Sequence, residues 1–148
     1  TVTSRWTKNN GNSTQVKTGD VNGDGYLEIV TVTYGGANPG PGVLCIYNRS
    51  GTELLNQSVP WGNLTLADVT GDNIPEIVTA YRDSSNNLKA NIYNSGGTIL
   101  KTISRGVSGY DSSCTLDTVK GDKLFFAGSA GYSVSPRGLL IGIYSSGG

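Results

Sequence analysis

Oxygen-bearing side chains alternate with other residues in one short stretch, and this pattern could bind a metal. The stretch begins at Asp20 and reads DVNGDGYLEIV. Asp20, Asn22 and Asp24 stand at positions 1, 3 and 5, and Glu28 stands at position 9. A hard cation such as Ca²⁺ takes six to eight oxygen ligands in a flexible geometry, which a short loop can supply. We therefore predict a calcium site made by the side chains of Asp20, Asn22, Asp24 and Glu28 with the main-chain oxygen of Tyr26.

The loop differs from an EF-hand in its ending. An EF-hand needs a bidentate Glu at position 12, where this chain has Thr31. Gly25, at position 6, suits a sharp turn that requires a positive φ. Residues 27–34 read LEIVTVTY, and this β-branched run predicts a strand after the loop rather than a helix.

A second copy of the loop begins at Asp68 and reads DVTGDNIPEIV. Its predicted ligands are the side chains of Asp68, Thr70, Asp72 and Glu76 with the main-chain oxygen of Ile74. Thr70 replaces Asn22, and Asn73 replaces the turn glycine, so we expect weaker binding here. Turns held by Asp and Asn side chains without a metal are the alternative. Two copies at equivalent positions of the repeat favour metal sites over metal-free turns.

The Gly-Asp core recurs a third time, at Gly121 and Asp122. Asp24, Asp72 and Asp122 are spaced by 48 and 50 residues. In this third copy Lys120 stands at position 3 and Phe126 at position 9, and neither suits a cation site. We expect the third loop to bind no metal.

A second block repeats in phase with the loops. It reads LCIYNRSGTEL from Leu44, ANIYNSGGTIL from Ala90 and IGIYSSGG from Ile141. Alternating apolar residues predict strands, and Asn-Gly or Ser-Gly steps predict hairpin turns. The tyrosines at the strand ends are expected to be structural: Tyr47, Tyr93 and Tyr144.

Four short antiparallel strands recurring every ~40–50 residues are typical of a β-propeller blade. The predicted fold is all-β, with three four-stranded blades at about 13–58, 59–106 and 107–148. A parallel β-helix is the alternative, although its repeats are usually shorter.

The two loop motifs, each followed by Ile-Tyr-Asn and a Gly-Thr turn, resemble FG-GAP/VCBS repeats, the calcium-binding blades of integrin-alpha-like propellers. The resemblance covers nearly the whole chain. It implies an extracellular propeller that binds Ca²⁺, and hence a secreted or cell-surface protein.

The third repeat ends before its fourth strand, and the chain begins with a segment of that strand type. Three blades are too few to close a ring, because propellers have about four to eight. We therefore expect the N-terminal strand to pair with the third blade of another copy, head to tail, giving a ring or a filament. A piece of a longer propeller is the alternative. The predicted assembly strand comprises Thr1, Val2, Thr3, Ser4, Arg5 and Trp6.

The composition argues against several classes of function. The 148 residues carry a net charge of zero and include no histidine. The lack of a basic stripe argues against nucleic-acid binding, and no apolar run approaches the ~20 residues of a membrane span. Without histidine the usual acid–base and triad chemistry is absent, so we expect no enzyme.

The favoured function is a structural or adhesive module, with copies of itself as partners and glycans or surface proteins as further candidates. One alternative is a lectin, in which Trp61 and Tyr110 form sugar-stacking platforms, although packing between blades is the commoner role of such aromatics. Another is a fragment of a larger secreted protein such as a polysaccharide lyase.

Two further sets of residues carry weaker signals. Sequons predict glycosylation at Asn12, Asn48, Asn56 and Asn63 if the compartment allows it. Cys45 and Cys114 are expected to be small buried residues rather than a disulfide.

Overall fold

A computed structural model describes residues 5–9, 15–34, 41–85, 87–105, 114–119, 123–129 and 139–145, and from residue 105 onward it describes strands and their pairing only. All the regular structure in these ranges is β-strand, which confirms the all-β prediction. The described part of the chain contains no helix, and therefore none long and apolar enough to cross a membrane.

The strands form three antiparallel sheets in chain order. The first sheet has four strands, β1 (Gln15–Gly19), β2 (Glu28–Tyr34), β3 (Pro41–Tyr47) and β4 (Glu53–Pro60). The second also has four, β5 (Asn63–Ala67), β6 (Glu76–Arg82), β7 (Leu88–Tyr93) and β8 (Ile99–Arg105). The described strands of the third are β9 (Cys114–Val119), β10 (Lys123–Ser129) and β11 (Leu139–Ser145). Within each sheet, strands that are consecutive in the sequence pair with each other.

Two hairpin turns are built alike. The first hairpin turn, Asn48–Thr52, joins β3 to β4, and the second, Asn94–Thr98, joins β7 to β8. In each, the leading Asn donates its N–H to the closing Thr carbonyl and accepts the Thr N–H on its side-chain oxygen. Gly51 and Gly97 have φ values of 82° and 79°, which only glycine adopts without strain. The Asn-and-Gly signal in the sequence therefore specified both turns.

The main core lies between the first two sheets. Val30, Val32, Leu44 and Ile46 project from the first sheet toward Ile77 and Tyr93 of the second. Residues two apart share a strand face, so the alternation of β2 and β3 places these side chains together. Each fully buried aliphatic side chain contributes about 1.5–3 kcal/mol relative to exposure.

The opposite face of the second sheet is also buried. Val78, Ala80, Ala90 and Ile92 form a second cluster there. As a result β6 is buried at five consecutive positions rather than at alternate ones. Strand β5 contacts β1 on one side and β9 on the other, so the second sheet lies between the other two. Among the described strands, no pairing joins one sheet to another, so these sheets are open.

The structural roles predicted for two tyrosines are confirmed. Tyr47 and Tyr93 end β3 and β7 and are 3% and 1% exposed. The side chain of Tyr144 lies outside the described residues.

Candidate metal centre

The first loop, residues 20–27, connects β1 to β2. Pairing of Gly19 with Glu28 closes its base. Gly23 and Gly25 have φ values of 75° and 85°, as a tight loop requires. The loop thus folds back on itself, and the first residue of β2 faces its opening residues.

Asp20 organises the loop through its carboxylate. Its Oδ1 accepts the N–H groups of Gly23 at 2.8 Å and Asp24 at 3.0 Å, and its Oδ2 accepts that of Gly25 at 2.8 Å. Asp24 Oδ1 accepts the Tyr26 N–H at 2.8 Å. Each carboxylate offers about four lone-pair sites, so these bonds leave acceptor capacity for a cation.

Three carboxylates converge at this loop. One oxygen each of Asp20, Asp24 and Glu28 lies within 4.8 Å of the others. Glu28 is only 1% exposed, and its Oε2 accepts the Val21 N–H at 3.2 Å. Burial, followed by the charges of Asp24 and Asp20, raises the Glu28 pKa above its ordinary 4.5. Such a cluster can hold a metal ion, which would offset the mutual repulsion.

Two other predicted ligands of the first site belong to the same loop. Asn22 accepts the Asp24 N–H on Oδ1 at 2.9 Å and donates its side-chain N–H to Asp24 Oδ2 at 3.2 Å. Tyr26 is 52% exposed, and the guanidinium carbon of Arg49 lies 4.0 Å from the centre of its ring. An all-oxygen donor set with three carboxylates suits a hard divalent cation such as Ca²⁺ or Mg²⁺ rather than a thiophilic one.

The second loop reproduces three hydrogen bonds of the first. Asp68 accepts the Gly71 N–H at 2.7 Å and the Asn73 N–H at 2.8 Å, and Asp72 accepts the Ile74 N–H at 2.9 Å. Asn73 has a φ of 68°, the left-handed conformation expected at this position. The repeat is therefore one of three-dimensional geometry as well as of sequence.

Glu76 distinguishes the second loop from the first. Its Oε2 accepts the N–H groups of Val69 and Thr70, and its Oε1 accepts the Thr70 hydroxyl at 3.2 Å. Among the described residues, the first loop alone brings three carboxylate oxygens within 4.8 Å of one another. Thr70 therefore hydrogen-bonds the Glu76 carboxylate. The equivalent carboxylate of the first loop, that of Glu28, instead converges with Asp20 and Asp24.

The two loops also contact each other. A Cβ placed on Gly23 would lie 2.7 Å from Cδ1 of Ile74, so the second loop packs directly on the first. In the predicted third loop, Lys120, Gly121 and Asp122 lie outside the described residues, and Phe126 is described only as a β10 strand position paired with Leu116.

The predicted glycosylation sites differ in accessibility. Asn56 is exposed on β4. Asn48 is half-buried, and its side-chain oxygen is used within the first hairpin turn. Asn63 is half-buried and accepts a hydrogen bond from Gln15 at 2.9 Å. Asn12 lies outside the described residues.

Trp61, one of the two aromatic residues predicted as sugar-stacking platforms for a lectin, is used in packing. The Trp61 and Tyr34 rings lie 4.7 Å apart between centres at 58°, and Trp61 packs against the main core. Tyr110 lies outside the described residues. Cys45 is a buried free thiol, and the side chain of Cys114 is not described.

The predicted assembly strand is described only at its end. Arg5 and Trp6 belong to no strand in this chain, and residues 1–4 lie outside the described range. The indole N–H of Trp6 donates to the Arg49 carbonyl at 3.1 Å. Trp6 therefore rests on the first sheet of its own chain.

Two contacts could not be foreseen from the sequence. Gln15 joins β1 to β5 by accepting the Leu64 N–H at 2.8 Å as well as bonding Asn63. Arg49 links the first hairpin turn to the first loop through Tyr26. Both join residues far apart in the chain, and no local motif marks them.

Comparison of the chain with protein-family models, with curated proteins and with solved structures finds no match in any of the three.

Proposed function

We propose that this protein is a non-enzymatic, calcium-binding β-repeat module of the propeller type, with a structural or adhesive role at the cell surface or outside the cell. The observation that carries the proposal is the convergence of Asp20, Asp24 and Glu28 at a loop whose hydrogen bonds recur in the next repeat. A repeated loop of this kind is suited to holding the corner of a sheet in one shape.

The residues fit a bound Ca²⁺ in charge and donor type. Asp20, Asp24 and Glu28 would supply carboxylate oxygens, and the oxygens of Asn22 and Tyr26 would complete the set. The ion would supply charge neutralisation between the two ends of the loop, joining the end of β1 to the start of β2. The contact of Ile74 with Gly23 extends this support to the second loop.

The propeller arrangement is supported by the order of the sheets. The strands that begin successive sheets, β1, β5 and β9, contact one another in turn, as inner strands of neighbouring blades do. The use of Trp61 in packing with Tyr34 favours a structural role over sugar binding.

Calcium titration of the purified chain by isothermal calorimetry tests the metal proposal. We expect heat of binding in the wild type and its loss in Asp24→Asn. Magnesium in place of calcium measures the selectivity between the two cations. No binding of either ion would refute the proposal.

Self-assembly by strand addition is the second part of the proposed function. It is supported by β11, which pairs with β10 and with no other described strand, whereas the equivalent strands β3 and β7 are each covered on both sides. An exposed strand edge is a template for another strand. Sedimentation velocity over a range of protein concentrations tests it, and a monomer at every concentration would refute it.

A further inference from the structure

The two hairpin turns, alike in their hydrogen bonds, are covered by different parts of the chain. The second hairpin turn is covered by β4. A Cβ placed on Gly97 would lie 3.1 Å from Cδ1 of Leu55 and would collide with the side-chain amide of Gln57. Since β4 is the outer strand of the first sheet, the outer strand of one sheet packs over the hairpin turn of the next.

The first hairpin turn is covered by the N-terminal segment, residues 5–9. A Cβ placed on Gly51 would lie 2.8 Å from Cδ2 of Trp6. The Trp6 ring centre is 6.1 Å from that of Tyr47, and Lys8 Nζ lies 5.5 Å from the Tyr47 ring centre. Trp6 thus holds on the first sheet the place that Leu55 and Gln57 hold on the second.

By this equivalence the N-terminal segment takes the packing position of an outer strand, although residues 5–9 form no strand within this chain. In the third sheet, no described strand occupies the equivalent outer position, which lies next to β11. Within one chain, however, the second sheet lies between the first and the third, because β5 contacts both β1 and β9.

We propose that Trp6 anchors an interface between two copies of this chain, in which the first sheet of one copy stacks on the third sheet of the other. The N-terminal segment lies between them, packed on the first hairpin turn of its own copy and paired beside β11 of the other. The proposal rests on the self-assembly proposed above and specifies its contact surface.

The chemistry of the contact suits an interface anchor. The indole ring lies over a glycine that leaves room for it, and its N–H is satisfied by the Arg49 carbonyl. Trp6 is half-buried in its own chain, and a tryptophan with its polar atom satisfied is a common hot spot once a partner covers it. The strand edge of β11 would add main-chain hydrogen bonds, and the contact is head-to-tail.

Sedimentation velocity of the full chain in calcium-containing buffer, comparing the wild type with Trp6→Ala, tests the proposal. We expect the dissociation constant to rise about 30-fold or more in Trp6→Ala, the loss typical of a hot spot. Leu100→Ala is the matched control, since it removes another apolar side chain, 48% exposed on β8, and should leave association unchanged. Circular dichroism of each variant establishes that it is folded.

A competition experiment keeps the test independent of variant folding. A synthetic peptide of residues 1–9 should disperse the wild-type assembly by pairing with the edge of β11, and a peptide of the same composition in scrambled order should not. If folded Trp6→Ala assembles as tightly as the wild type, or if both peptides act alike, the interface is wrong while self-assembly stands. If the wild type is monomeric throughout, self-assembly itself is wrong, and the calcium proposal is judged by its own titration.

Discussion

Replacing Asp24 with Asn should separate the two roles of the first loop, folding and metal binding. The Asn side chain keeps an oxygen that can accept the Tyr26 N–H and loses only the exposed 3.2 Å bond from the Asn22 amide, so the loop can retain its shape. It removes one of three converging negative charges and with it a repulsion that raises the Glu28 pKa. We therefore expect the metal-free variant to be at least as stable as the metal-free wild type, and the calcium response to be lost.

The size of the calcium response follows from linkage. An ion at about 100 times its dissociation constant stabilises the native state by about 2.7 kcal/mol, provided that it binds only that state. For a chain of 148 residues this corresponds to a Tm increase of about 5–10 °C. If the substitution weakens binding about 100-fold, about 0.4 kcal/mol remains, which is about 1–2 °C.

Thermal unfolding followed by circular dichroism, with calcium and with a chelator, measures both quantities. Asp72→Asn is the matched control, because Asp72 accepts the Ile74 N–H in the same way, but the second loop lacks the convergence of three carboxylates. It should retain most of the calcium-dependent increase.

Two results would refute this reasoning. The first is a wild-type calcium response that survives in Asp24→Asn. The second is an equal loss in Asp72→Asn, which would mean that convergence of the carboxylates does not decide the affinity.

Three further predictions follow from other parts of the structure. Because the Glu28 pKa is raised in the folded state, the metal-free protein should lose stability as pH rises from about 4.5 through that raised pKa. Thermal melts in the presence of a chelator across this pH range measure whether the Tm falls. Leu44→Ala removes a fully buried core side chain and should cost about 2–5 kcal/mol in denaturant unfolding; a loss below about 1 kcal/mol would contradict the core assignment. The Lys89 ammonium, 3.0 Å from Asp83, and then the N–H groups of Asn87 and Ser85 lower the pKa of that carboxyl from 3.8 to about 2, so Lys89→Ala should move its NMR titration part of the way back toward 3.8.

Much of the fold was predictable because its signals are local. Strand β2 lies within the range 27–34 that the sequence predicted, since β-branched residues favour a pleated strand within a few positions. The positive φ values at Gly25 and Asn73 follow from position 6 of each loop.

The candidate site was predictable as a set of residues but only partly as an arrangement. The motif gives both loops the same carboxylates at positions 1, 5 and 9. In the second loop Thr70, at position 3, hydrogen-bonds Glu76, whereas the first loop has Asn22 there, which bonds Asp24 instead. Sequence spacing does not show which of these competing hydrogen bonds forms.

The sequence alone determined that this protein is all-β, where its loops and turns fall, and which residues could bind a cation. Those features depend on backbone preferences and hydrogen bonds within about ten residues, where sequence patterns apply directly. Tertiary structure decided that Trp61 packs on Tyr34, that Trp6 covers Gly51, and that Ile74 rests on Gly23. These contacts join distant positions, because sheets that cannot bury both faces alone must stack, and the stacking selects the side chains that meet.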